Sequence, residues 1–279
     1  MARSALLNVM VQAARKAGSS LARDFGEVQN LQVSLKGPGD YVSQADRKAE
    51  EIIHAELSRA RPGYSFLMEE RGEVPGDDGQ HRWLVDPLDG TTNFLHGIPI
   101  FSVSIALERQ GQLVAGVIFN PAMDELYTAE RGGGAFLNDR RMRVAARNRL
   151  SDAVIGTGIP HLGRGHHGQA LIDLKNVMGE AAGIRRLGSA ALDLAYVAAG
   201  RMDGFWEDYL SPWDIAAGIL MVREAGGFAS DRAGGQAMFD NGTIVAGNEA
   251  IHRALLKQLG PGLAKRPQKA PAVPPDAGA

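Results

Sequence analysis

The sequence predicts an α+β / α/β protein in which sheets and helices are layered. Three observations predict it. Apolar runs of strand length end in carboxylates, as at Ser65 to Met68 before Glu69-Glu70 and at Trp83 to Val85 before Asp86. Amphipathic helical stretches flank them, the first with Leu7, Met10, Val11, Ala14, Ala17 and Leu21 on one face. In the second half, short apolar runs alternate with helical patterns.

The chain of 279 residues can build one large domain or two halves that share an interface. We place the halves at residues 1–142 and 143–260, followed by a tail at 261–279. A composition of 44% hydrophobic and 22% charged residues is that of an ordinary globular protein. The net charge of -2 supplies no strong field toward nucleic acid or an anionic membrane. Cys is absent, which removes disulfides, thiolate nucleophiles and Cys-ligated zinc together. No run of about 18 apolar residues and no leader pattern occurs, so a cytoplasmic location is expected.

In chain order, a helix is expected from Ser4 to about Phe25-Gly26, then a loop over Lys36 to Asp40. Ser43 is the expected cap of a second helix carrying Ala49, Ile52, Ile53 and Leu57, which Pro62-Gly63 closes. Asp46 in its first turn and Lys36 on the loop have ordinary explanations, dipole compensation and solvation. The strand Ser65 to Met68 leads through a polar loop, Gly72 to Gln80, to the strand at Trp83. If the two strands are neighbours, their ends bring Glu69, Asp86 and Asp89 together, and three carboxylates at one point need a cation.

Pro87 biases Asp86 toward an extended conformation, and Asp89-Gly90 signals a turn that lets both acids face one point. Two readings stand here, turn capping and metal ligation. Thr91 and Thr92 sit where a helical turn begins, with amides suited to phosphate. Next come strands over Phe101 to Leu107 and Leu113 to Phe119, joined at Gln110-Gly111. Gly132-Gly133-Gly134 reads as a hairpin or bulge turn, because it lacks the Gly-Lys-Ser/Thr ending of a nucleotide-binding P-loop.

Beyond Asp152, strands are expected at Ala153 to Ile155, Phe228-Ala229 and Ile244-Val245. Helices are expected around Leu171 to Met178, Ala190 to Ala199 and Ile215 to Ala225. His161, His166 and His167 read as a solvated loop. Ser189, near a helix start, is a packing or a ligand contact. Asp214 is a helix cap or a fourth metal carboxylate. The tail holds five of the thirteen prolines and almost no large apolar side chain, so disorder is expected there.

Taken together and in order, W-L-V-D-P-L-D-G-T-T-N-F at 83 to 94 and W-D-I-A-A-G-I-L-M-V-R-E-A-G-G at 213 to 227 strongly resemble the inositol monophosphatase family. Supporting matches are G-D-Y-V-S-Q-A-D at 39 to 46, Glu69-Glu70, and G-S-A-A-L-D at 188 to 193. The resemblance implies a layered αβαβα sandwich of the inositol monophosphatase / sugar phosphatase type. It implies a lithium-sensitive phosphatase that uses two to three Mg²⁺ ions. Glu69, Asp86 and the Leu88 carbonyl would hold one ion, Asp86, Asp89 and Asp214 a second, and Glu69 with waters a weaker third. Thr91, paired with Asp46, matches the group that orients the attacking water. Gly90 and Thr91, with Thr92 beside them, match the phosphate cradle. Ser189 and Glu207 match substrate contacts, Glu207 toward sugar hydroxyls, and Lys36 matches a loop lysine near the metals. One departure is Met68, where many relatives carry Gly.

The implied substrate is a small phosphorylated polyol, inositol 1-phosphate first. Histidinol phosphate, fructose 1,6-bisphosphate, 3′-phosphoadenosine phosphates and NADP are the alternatives. The resemblance also implies a homodimer. Some bacterial relatives bind RNA polymerase and the antitermination machinery, although no basic stripe with interleaved aromatics demands RNA binding here.

Overall fold

A computed structural model describes residues 3–26, 33–37, 40–161 and 165–260. The expected disordered tail lies outside these residues, as do Pro38, Gly39 and the side chains of Lys36 and Ser43.

Helix α1 (Ala5–Phe25) begins where the Ser4 hydroxyl accepts the Leu7 amide, and it buries the predicted stripe from Leu7 to Leu21. The loop expected over Lys36 to Asp40 is corrected: β1 (Val33–Gly37) and β2 (Asp40–Ser43) form an antiparallel hairpin. Strand-forming Val33, Leu35, Tyr41 and Val42 flank the Pro-Gly pair, whose loop signal dominates a reading by composition. Helix α2 (Gln44–Ala60) follows directly.

The first large sheet comprises β3 (Ser65–Met68), β4 (Gly72–Val74), β5 (His81–Asp89), β6 (Ser102–Arg109), β7 (Gln112–Asn120), β8 (Glu125–Glu130), β9 (Gly134–Leu137) and β10 (Arg140–Arg141), with the short helix α3 (Thr91–Leu95) after β5. Its order is β10-β9-β8-β7-β6-β5-β3-β4. The polar loop after Glu70 therefore opens with an edge strand, β4, which pairs antiparallel with β3. Strands β3 and β5 are parallel neighbours with Met68 opposite Val85, as the site hypothesis required. Met68 is fully buried in an ordinary extended strand, so the position does not need glycine.

The second sheet has β11 (Val154–Thr157), β12 (Gly183–Arg185), β13 (Gly204–Asp208), β14 (Phe228–Ser230) and β15 (Thr243–Gly247), in the order β12-β11-β13-β15-β14. Its helices are α4 (His167–Met178), α5 (Ala190–Ala198), α6 (Pro212–Glu224), α7 (Met238–Asn241) and α8 (Glu249–Leu259).

Strand alternation sorts the core into three layers. Trp83, Val85, Val103 and Ile105 pack on α1 and α2. Leu84, Ala106 and Ile118, from the opposite face of that sheet, meet α5 and α6. Those two helices also cover Phe205, Ile244 and Ala246 of the second sheet. Trp206 and Val245 point the other way, onto α8 and onto Val177 of α4. The order is helices, sheet, helices, sheet, helices, which is the expected αβαβα sandwich. The central pair is apolar on all sides because both its faces are covered.

Candidate active site

The acids meet at the C-terminal end of β5. Between the two aspartates β5 carries a β-bulge, since Asp86 pairs with Ser104 and Asp89 with Ser102. Pro87 and Leu88 of β5 thus lie opposite the single Val103 of β6. Proline has no amide to give the ladder, and a bulge asks for none at that point. Asp86 is 2% exposed, and its Oδ1 accepts the Leu88 amide at 2.9 Å. The chain leaves through Gly90 at φ 94°, where a Cβ would lie 2.8 Å from the Ile100 carbonyl, so only glycine fits this turn.

Glu69 follows β3, and its amide continues the parallel ladder to the Val85 carbonyl at 3.2 Å, which seats it beside Asp86. Asp46 comes from the first turn of α2. The carboxylate oxygens of Asp46, Glu69 and Glu70 come within 4.8 Å of one another. Glu70 stood in the sequence only as half of the Glu69-Glu70 match, with no site role given to it. Asp214 lies in the first turn of α6 and accepts the Ser211 amide at 2.7 Å in a capping box, so the cap reading is realised. It also lines the same cavity as Glu69, Asp86 and Asp89.

Asp89 is tied to the second half of the chain. Its Oδ2 accepts the Ser189 hydroxyl at 2.5 Å and the Ala191 amide at 2.8 Å, at the start of α5. Ser189 therefore spends its proton on Asp89, and its oxygen accepts the Leu192 amide as the α5 cap. The Thr91 hydroxyl donates to the Leu88 carbonyl at 3.0 Å. Asn93, which had no sequence signal, bridges the Ile100 and Leu187 carbonyls and holds α3 against the approach to α5.

Across the cavity, Glu207 on β13 lies over Gly158. A Cβ on Gly158 would fall 1.9 Å from the Glu207 Cδ, so the bare backbone makes room for the carboxylate. Asp193 of α5 is buried nearby, and burial, then Glu207 and Asp89, push its carboxyl well up. His161, His166 and His167 lie on the cavity rim, the last two exposed as expected, and the His166 ring caps α4. The outer wall is braced by Arg232, which donates to Asp173, Asp208 and the Leu259 carbonyl.

The cavity is about 380 Å³. Seven carboxylates line it, and Arg186 is the only Lys or Arg among its described lining residues. Arg232 neutralises Asp173 and Asp208 from behind. Burial, then the charges of Glu69, Asp89, Asp214 and Asp46, push the Asp86 carboxyl well above its ordinary range. Burial raises Asp89 to about 6, against the pull of Ser189 and the Ala191 amide. Such a cluster is costly without a countercharge, and its donors are all oxygens, the set a hard divalent cation takes.

A model of the inositol monophosphatase family matches residues 2–263. Inositol-1-monophosphatase of Mesorhizobium japonicum is 80% identical over 93% of this chain and 97% of its own length. A protein of Pseudomonas aeruginosa named Nus factor SuhB is 45% identical over 92% of this chain and 97% of its own length. The crystal structure of the extragenic suppressor protein suhB of Bartonella henselae has a TM-score of 0.91 and 69% identity, covering 93% of this chain and all of that one.

Proposed function

The chain belongs to the inositol monophosphatase family and is a metal-dependent phosphoric monoester hydrolase, and we propose that it hydrolyses inositol 1-phosphate to inositol and phosphate with Mg²⁺. The observation that carries this reading is that Glu207 shares one cavity with Glu69, Asp86, Asp89 and Asp214.

By resemblance to the family, Glu69, Asp86 and the Leu88 carbonyl would hold one Mg²⁺, Asp86, Asp89 and Asp214 a second, and Glu69 with waters a third, and the shared cavity of these acids supports that reading. When bound, they supply Lewis-acid activation of the water nucleophile and neutralise charge on the phosphate and leaving oxygen. The protein's own groups supply position. The first-turn amides of α3 and the Gly90 amide have no helical acceptor four residues back, and we assign them to the phosphate oxygens together with Thr92. Thr91, its proton committed to Leu88, offers only lone pairs and so accepts from the attacking water, with Asp46 as the carboxylate sharing that role. Glu207 accepts polyol hydroxyls. Ser189 acts through Asp89, which it orients. The homodimer, cytoplasmic location and lithium inhibition belong to this reading on the strength of the family. No helix among the described residues is long and apolar enough to cross a membrane.

A substrate panel of inositol 1-phosphate, histidinol phosphate, fructose 1,6-bisphosphate, 3′-phosphoadenosine phosphates and NADP, assayed with Mg²⁺, tests the assignment. Inositol 1-phosphate is expected to give the highest kcat/KM, and another winner overturns the substrate choice. Gly158→Ala is expected to displace Glu207 and raise KM for inositol 1-phosphate on the order of 10-fold, the worth of one charged hydrogen bond, with a smaller change in kcat. An unchanged KM would remove Glu207 from the polyol site.

A second reading, a role with RNA polymerase independent of catalysis, is favoured by the name of the Pseudomonas aeruginosa relative. A catalytically inactive variant that still performs the cellular role would establish it.

A further inference from the structure

Glu50 lies on the buried face of α2 with Ala49, Ile53 and Leu57, one helical turn after Asp46, and it is 1% exposed. An apolar residue would pack there without desolvation, so a carboxylate at this position asks for a reason. Its bonds supply one. Oε2 accepts the Glu70 amide at 2.9 Å and the Arg71 amide at 3.4 Å, and Oε1 lies 3.3 Å from Arg71 Nε.

Those amides belong to the turn that leaves β3 and carries Glu69 and Glu70. The other end of the turn is held by the Glu69 amide on the Val85 carbonyl. The segment is thus pinned to β5 at one end and to α2 at the other. Asp46, from the same face of α2, faces the acids that the turn presents.

We propose that Glu50 is a positioning residue for cation binding: its bonds to the Glu70 and Arg71 backbone hold Asp46, Glu69 and Glu70 in one arrangement. This rests on the metal-dependent reading of the site. It differs from a general stabilising role, because the bonds end on the ligand-bearing turn itself.

The test is Mn²⁺ binding to the metal-free full-length protein without substrate, by electron paramagnetic resonance and calorimetry, well below the melting temperature of each variant. Glu50→Ala is expected to weaken Mn²⁺ binding about 10- to 100-fold, the usual effect of removing a group that orients metal ligands. Glu50→Gln, which keeps an acceptor for the Glu70 amide but not the charge, is expected to bind as wild type does. Should Glu50→Ala not fold, Glu50→Asp carries the same expectation of weakened binding, because it is one methylene too short to reach both amides.

Wild-type affinity in Glu50→Ala, or in Glu50→Asp when that variant stands in, overturns the proposal, even if the melting temperature falls. Equal losses in Ala and Gln overturn it too, since the charge and not the amide bonds would then matter. If wild type itself binds no Mn²⁺, the reading of the site fails first, and the two failures are told apart by that control.

Discussion

Asp89→Asn is expected to lower kcat/KM by about 10³-fold or more while the protein stays folded. On the proposed reading Asp89 would share a cation with Asp86 and Asp214, and a cation at such a site is worth several kcal/mol of charge stabilisation, with each factor of ten worth about 1.4 kcal/mol. An asparagine keeps an oxygen that can accept from Ser189 and the Ala191 amide, so the link to α5 survives. Asp214→Asn is expected to act alike on activity, with the capping box preserved through its own amide oxygen. Steady-state kinetics and circular dichroism check both. Activity within tenfold of wild type in either variant would remove that residue from the cation site.

The second large effect is on the stability of the metal-free protein, and its sign follows from the raised carboxyls. Asp89 titrates at about 6 in the folded state against an ordinary value of 3.8, so between these pH values the folded state binds more protons than the unfolded one. Stability from this group is fully present below about pH 4 and is lost as pH rises through 6, about 3 kcal/mol in all. Asp86 and Asp193, raised by burial and neighbouring acids, act in the same direction. Denaturant titrations of the apoprotein are expected to show lower stability at pH 8 than at pH 5, with Mg²⁺ closing the gap. At pH 8, metal-free Asp89→Asn is expected to be more stable than wild type, and the difference should vanish toward pH 4. An apoprotein that gains stability from pH 5 to 8 contradicts the burial of these charges.

These effects trace to elements of unequal visibility in the sequence. Glu69 and Asp86 were legible as neighbours because parallel strands ending in acids place their next residues side by side. The bulge was not, since Pro87 and Asp89-Gly90 are also good turn residues and only pairing with β6 decides between the two. The link from Asp89 to Ser189 spans 100 residues, and no local period reports it. Asp214 looked like a cap and is one, and it also lines the cavity, so the cap does not take it away from the site. Glu50 went unnoticed because an isolated polar residue on an apolar stripe has no motif around it. Its spacing of four from Asp46 was the available signal. The β1–β2 hairpin was hidden by a Pro-Gly pair at its centre.

The central helices α5 and α6 belong to both sheets at once, and that has a consequence for how the chain comes to life. Asp89 waits for Ser189, and the cavity lined by Asp86 waits for Asp214, so a nascent chain released before α6 has the turn at Gly90 without the far wall of its cavity. Cation affinity should therefore appear late and abruptly, when the far half docks. Once there, ions at 100 times their dissociation constant add about 2.7 kcal/mol to the closed state. On the metal-dependent reading, the cation that would equip the site for chemistry would also act as a latch on completed folding.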